Sequence, residues 1–336
     1  MNKNDNWRYF NRNIANFFYA KYQANKAVTY KNSKNFEIEE YKKIVNSSPS
    51  LNQQLIIPID ERKRLIDKFI LTNKSYINKP DIIINCAGKV GGILANSSFP
   101  IEFLHQNIMI QNNLVNGSFR NNIKHFINLG SSCIYPNNFS KHIKEEYLLT
   151  STLEKTNEAY ALAKIIGLKS CEFYNKQYKT NYLTLMPCNL YGPNDNYNSK
   201  NSHFIPALIK KFVDSNNNKK KFVEVWGSGL PKREIMHVDD LADACVYFMN
   251  KKTKHSIINI GTGKDFSINY YVKLISKLLL QKKIKISYDK TKPNGVLRKV
   301  MDVSLAKKYG WKYKIKLEDA ILSTYNSFKK EKNLEE

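Results

Sequence analysis

Glycine is missing from the first 87 residues of this 336-residue chain, whose 13 glycines all lie from Gly88 onward. An even spread would place about three or four of them there, and no other residue substitutes freely where backbone turns at positive φ or lies against a ligand. A glycine-rich loop able to cradle a phosphate is therefore lacking at the front. Cysteine is scarce too. Cys86, Cys133, Cys171, Cys188 and Cys245 are odd in number and form no Cys-x-x-Cys pair, which excludes a disulfide framework and a zinc site, so no metal is expected. No apolar run nears the roughly 20 residues of a membrane-spanning helix, and residues 1–6 carry no apolar core of a secretory signal. A reducing cytoplasm is the expected location, with no membrane partner. Acidic residues number only 29 against 54 Lys and Arg, a formal charge of +25. The lysines are dispersed among asparagines and no nucleic-acid-binding motif accompanies them, so nucleic acid is not an expected partner. What remains is a general attraction for anions, which suits a nucleotide-bearing substrate.

What is present is a pattern of strands alternating with helices. Residues 55–59 read as a strand, Asp60 as a helix cap, and 61–71 as an amphipathic helix. Residues 81–87 are a stronger strand, closing in Gly88-Lys89-Val90-Gly91-Gly92. Helix over 100–120, strand over 124–130, a long helix over 153–178 and strand over 182–187 follow. Such alternation implies an α/β fold with a doubly wound parallel sheet covered on both faces. Beyond Pro187 the texture changes. Residues 189–195 are turn-rich, 203–213 helical, 222–226 a strand closing in Gly227-Ser228-Gly229, 241–249 a helix, and the tail ends in a helix over 317–329.

Chemistry concentrates between Leu129 and Lys164. Tyr160 and Lys164 are four residues apart in a run free of Gly and Pro, so they share one helix face. An ammonium beside a phenol favours the phenolate and moves its pKa toward working pH, which equips Tyr160 to exchange a proton with a substrate oxygen. Ser131 ends the apolar run 126–129, where active groups of parallel sheets gather, and its hydroxyl is placed to share that oxygen.

These residues carry a resemblance. The segments Lys89-Val90-Gly91-Gly92-Ile93, Gly130-Ser131-Ser132-Cys133-Ile134-Tyr135-Pro136, Tyr160-Ala161-Leu162-Ala163-Lys164, Asn201-Ser202-His203 and Val225-Trp226-Gly227 are similar to those of the GDP-L-fucose synthase family of extended short-chain dehydrogenase/reductases. The likeness runs from about Leu55 to the C-terminus. It implies a Rossmann-type nucleotide-binding domain with a smaller, mainly C-terminal substrate domain: residues 55–187 against 188–336, with about 234–262 returning to the sheet. It implies NADP(H) as cofactor, a GDP-sugar as substrate and a homodimer formed through the helices at 100–120 and 153–178. Epimerisation beside a ketone and its reduction would use Cys133 and His203 as an acid/base pair, with free pKa values of roughly 8.5 and 6.5. Ser131, Tyr160 and Lys164 would be the reduction triad. Leu129, Gly130, Ser131, Ser132, Lys164, Pro187, Cys188, Asn189, Leu190 and His203 would hold the cofactor, and Lys211, Trp226 and Arg233 the GDP-sugar. Arg233 suits a diphosphate because its planar fork donates two hydrogen bonds at once.

The front departs from that pattern. Residues 1–54 have the length of a strand, helix and strand without the glycine fingerprint, as a diverged or mis-framed first unit would. The alternatives are another nucleotide-sugar epimerase or dehydratase of the superfamily, or a catalytically silent homologue with an impaired cofactor site.

Overall fold

In a computed structural model of the chain, the structure describes residues 80–136, 141–198, 202–217, 222–279, 284–292 and 294–332. The first unit at 1–54, the strand at 55–59, its cap Asp60 and the helix at 61–71 lie outside the described residues.

The first half of the described chain runs β1 (Ile82–Asn85), α1 (Ile93–Ser98), α2 (Pro100–Arg120), β2 (His125–Leu129), α3 (Glu158–Tyr178), β3 (Asn181–Pro187) and β4 (Asn189–Tyr191). The second half runs α4 (Phe204–Asn217), β5 (Phe222–Trp226), β6 (Lys232–Arg233), β7 (Ile235–His237), α5 (Val238–Met249), β8 (Ile257–Ile260), β9 (Phe266–Ser267), α6 (Ile268–Leu279), β10 (Lys285–Asp289), β11 (Arg298–Lys299), α7 (Ser304–Lys308) and α8 (Leu317–Glu331). Strands β1, β2, β3 and β8 form one parallel sheet in that order. The apolar runs of β2, β3 and β8 are buried nearly end to end, as a sheet covered on both faces requires. Alternation along the strands sends Phe126 and Tyr182 to a cluster with Val115 of α2 and Cys171 of α3. Ile127, Leu183 and Leu185 meet Leu241, Ala244 and Phe248 of α5 instead.

Helix α2 opens on Pro100, which has no amide hydrogen to leave unpaired at a first helical position. It packs closely on α3: a Cβ on Gly167 would stand 1.8 Å from Gln111 Oε1, and Gln111 Nε2 donates to the Ala163 carbonyl at 2.9 Å. Helix α3 starts at Glu158, five residues later than the sequence pattern predicts. Lys155–Asn157 form a 3-10 turn instead, capped by the Glu154 carboxylate, which accepts from the Thr156 amide. Thr and Asn bond locally to backbone and so favour caps over helix interiors. The 189–195 segment, expected as turn, contains β4, which pairs in parallel with β7.

A second core lies beyond the sheet. Phe212 of α4, Val223 of β5, Tyr271 and Ile275 of α6, and Ile321 and Phe328 of α8 fill it. Around it β10 pairs with β5, and β6 lies between β9 and β11.

Candidate active site

The carboxyl end of β2 sets the first group of side chains. After Leu129 the chain leaves the sheet, and Ser131 caps a 3-10 turn over Ser132–Ile134 by accepting from the Cys133 amide at 3.2 Å. That turn leaves Cys133 half-buried, while Tyr135 is buried and donates to Asn259 Oδ1 at 2.7 Å. Tyr160 and Lys164 approach from the first turns of α3. The Lys164 ammonium donates to the Leu129 carbonyl at 2.9 Å and lies 5.9 Å from the centre of the Tyr160 ring. The Ser131 hydroxyl and the Cys133 sulfur are both near enough to the phenol to shift its pKa, the first downward and the second upward. Leu129, Ser131, Cys133, Tyr160 and Lys164 thus converge at one strand end.

The electrostatics differ from the sequence expectation in one respect. Burial pushes the Tyr160 phenol up rather than down, with Cys133 adding to the rise and Ser131 opposing it. Burial also lowers Lys164 to about 8. The ammonium is directed at a carbonyl, not at the phenol oxygen, so desolvation outweighs its pull on the phenol. Tyr160 is therefore a neutral proton donor in the chain by itself.

The loop after β1 forms the facing wall. Asn107 of α2 clamps it: Nδ2 donates to the Lys89 carbonyl at 3.0 Å and to Phe103 at 2.7 Å, while Oδ1 accepts from the Lys89 amide at 2.9 Å. Gly88 sits between this amide and Lys164, for a Cβ there would lie 3.3 Å from Asn107 Oδ1 and 3.4 Å from Lys164 Nζ. Sequence reasoning missed Asn107. Its signal was a polar residue in line with Phe103 and Val115 on α2, four residues before Gln111, which is also buried.

Pro187 closes β3 beside Ile260, and Cys188 is buried with its thiol pushed well up by burial and by the Glu234 charge. Asn189 and Leu190 are half-buried at the start of β4. His203 stands just before α4, where its carbonyl accepts from the Ala207 amide at 3.0 Å. A Cβ on Gly92 would stand 3.7 Å from the carbonyl of Ser202, the residue before His203. The residue is water-accessible, yet enough protein surrounds the imidazole that desolvation lowers its pKa. Among the described residues the His203 ring makes no hydrogen bond to Cys133 or Tyr160.

A second group lies on the smaller sheets. Trp226 is half exposed at the end of β5, with the ammonium of Lys211 5.3 Å and that of Lys292 5.6 Å from its ring centre. Lys211 also donates to the Glu224 carbonyl at 2.9 Å. Arg233, on β6, donates through one guanidinium nitrogen to the carbonyls of Lys232 at 2.8 Å and Val296 at 2.5 Å, and through the other to Asn294 at 3.3 Å. Its positive charge reaches Cys133, which links this group to the first. Lys292 and Asn294 are further residues the sequence reading did not single out. Asn294 Oδ1 accepts from the Ser228 amide at 2.7 Å and so locks the two turns that frame Trp226.

A twisted parallel sheet with Ser131, Tyr160 and Lys164 gathered at its carboxyl edge defines a nucleotide-binding enzyme of the short-chain dehydrogenase kind. The chain belongs to the NAD dependent epimerase/dehydratase family, which matches residues 59–261. It is 42% identical over 294 residues to GDP-L-colitose synthase of Yersinia pseudotuberculosis, covering 87% of this chain and 95% of that protein. It is 40% identical over 284 residues to GDP-L-fucose synthase of Escherichia coli (strain K12), covering 82% and 88%. Among solved structures, MlghC, a GDP-mannoheptose C4 reductase from Campylobacter jejuni with NADP bound, superposes with a TM-score of 0.70 at 34% identity, covering 80% of this chain and 85% of that one.

Proposed function

We propose that this enzyme is a GDP-L-fucose synthase, converting GDP-4-keto-6-deoxy-D-mannose to GDP-L-fucose by 3,5-epimerisation and NADPH-dependent reduction at C4. The observation that carries the reading is the convergence of Ser131, Cys133, Tyr160 and Lys164 at the end of β2, with Arg233 close enough for its charge to act on Cys133. The GDP-sugar names of the relatives support it.

The residues fit NADP(H) at the nicotinamide end. Gly88 leaves open the space between Asn107 and Lys164, and Lys164 uses one of its three donors on Leu129, leaving two for ribose hydroxyls. Leu129, Gly130, Ser131, Ser132, Lys164, Pro187, Cys188, Asn189, Leu190 and His203 would hold the cofactor, which supplies the hydride when bound. Cys133 and His203 act as the acid/base pair: one takes the proton from a carbon beside the ketone and the other returns a proton on the opposite face. Ser131 stabilises the enolate oxygen by hydrogen bonding. Tyr160 then gives its proton to the C4 oxygen as the ketone is reduced, and Lys164 stabilises the phenolate left behind. Arg233 and Lys211 hold the diphosphate, with Trp226 alongside. In this reading residues 55–187 form most of the dinucleotide unit and 188–336 mainly the substrate unit, with about 234–262 returning to the sheet.

We infer a homodimer as well. Leu162, Ile166 and Phe173 fall on one face of α3 and are all exposed, with Phe99 and Ile101 exposed at the start of α2. A reducing, cytoplasmic setting fits five cysteines that are all free. No helix among the described residues is long and apolar enough to cross a membrane.

The product decides the reading. Incubation with GDP-4-keto-6-deoxy-D-mannose and NADPH should yield GDP-L-fucose by NMR. A 4-reduced product with unchanged configuration at C3 and C5 would instead make the chain another nucleotide-sugar reductase of the superfamily.

A further inference from the structure

Glu234 follows Arg233 directly and is buried, yet the chemistry proposed above leaves it without a role. Its carboxylate is surrounded by donors from two separate segments. Oε1 accepts from the Gly263 amide at 2.7 Å and the Thr262 hydroxyl at 3.4 Å, and Oε2 accepts from the Met301 amide at 2.8 Å. The first segment is the turn after β8, and the second follows β11. Gly261 makes room for it, since a Cβ at that position would stand 2.2 Å from Oε1.

The backbone of Arg233 is fixed on either side of this carboxylate. The Arg233 carbonyl accepts from the Tyr271 hydroxyl at 2.8 Å, the Lys232 amide donates to Leu297 at 2.8 Å, and the Glu234 amide donates to Lys299 at 3.3 Å. The guanidinium is in turn held by the carbonyls of Val296 and Asn294, which lead into the same β11 segment that Glu234 grips through Met301. On its other side the carboxylate is close enough to Cys188, in the segment assigned to the cofactor, to raise the thiol's pKa.

We infer that Glu234 is a positioning residue, whose carboxylate ties the turn after β8 to the strand end after β11 and so aims the Arg233 guanidinium at the diphosphate of the GDP-sugar. This rests on the reading that Arg233 binds that diphosphate. Only a carboxylate presents acceptors on both oxygens. A glutamine of the same shape would turn an NH2 group toward the Gly263 or the Met301 amide, leaving two donors facing each other. The loss would reach Arg233 through the loop it is bonded to, not through the reacting carbons.

GDP alone is the probe, its binding followed by calorimetry and by tryptophan fluorescence, to which Trp226 contributes, with steady-state kinetics alongside. Glu234→Gln should weaken GDP binding by about tenfold or more and raise the KM for the GDP-sugar similarly, with kcat within about threefold of the parent. Glu234→Asp, which keeps the charge, should recover part of the loss. A role confined to stability would lower the melting temperature and leave both Kd and KM unchanged. Arg233→Ala separates the two readings. If it leaves GDP affinity unchanged, the diphosphate role of Arg233 fails. If it weakens GDP while a folded Glu234→Gln does not, the positioning role of Glu234 fails. Should Glu234→Gln not fold, Gly261→Ala displaces the same carboxylate and must weaken GDP in the same direction. Parent-like affinity in that variant would overturn the inference.

Discussion

At the residue scale the reading turns on Lys164. Burial lowers its pKa to about 8, so the ammonium is present below that pH and lost above it. The unfolded lysine keeps its proton to about 10.4, so this group's contribution to stability rises with pH between the two values, opposite to its effect on activity. If Lys164 must be charged to stabilise the Tyr160 phenolate, kcat/KM for ketone reduction falls as pH rises through about 8. Lys164→Arg, whose group stays protonated throughout, should retain less activity but lose that alkaline limb. A parent profile flat to pH 9.5 would contradict the assignment. Tyr160 and Lys164 were legible in the sequence because helical spacing fixes which residues share a face. Asn107 and Glu234 were not, because a polar residue on a buried face acquires meaning only when the segments it bonds to are brought beside it.

Among elements, α2 and α3 matter most, because they position the site with one face and leave an apolar strip on the other. Leu162, Ile166 and Phe173 are exposed on α3 at spacings of four and seven residues, and Tyr178 is exposed at its end. A partner helix pair would bury this strip at about 25 cal/mol per Å2 of apolar surface. The protein should therefore run in light scattering at twice its 39.1 kDa chain mass, and Ile166→Glu combined with Phe173→Glu should reduce it to one. A parent that is monomeric at micromolar concentration would remove the dimer. Both helices were foreseen from the sequence, with α3 misjudged only at its start, where the Glu154 carboxylate accepts from the Thr156 amide and hydroxyl and holds a 3-10 turn instead. Strands of two or three residues, such as β6 and β7, lie below what a periodicity can show, although Arg233 depends on them.

Across the whole molecule, the site lies where the parallel sheet meets the second core. The proposed catalytic groups come from the end of β2, the start of α3 and His203 just before α4, and the groups proposed to hold the diphosphate are Lys211 on α4 and Arg233 on β6, with Trp226 on β5. The parallel sheet was readable from its apolar runs. The junction was not, because Lys292 reaches Trp226 only through the pairing of β5 with β10, while Lys211 comes to the same ring from α4. A formal charge of +25 gives the whole surface an attraction for a nucleotide sugar, an effect that added salt weakens. At the centre of the site we propose a division of labour, with epimerisation by Cys133 and His203 and reduction by Tyr160. Its most direct test is solvent deuterium entry at the carbons flanking the ketone, measured by NMR in Cys133→Ser and Tyr160→Phe. The account predicts that Cys133→Ser suppresses exchange, while Tyr160→Phe blocks reduction and leaves exchange in place. Exchange at the parent rate in Cys133→Ser would contradict it.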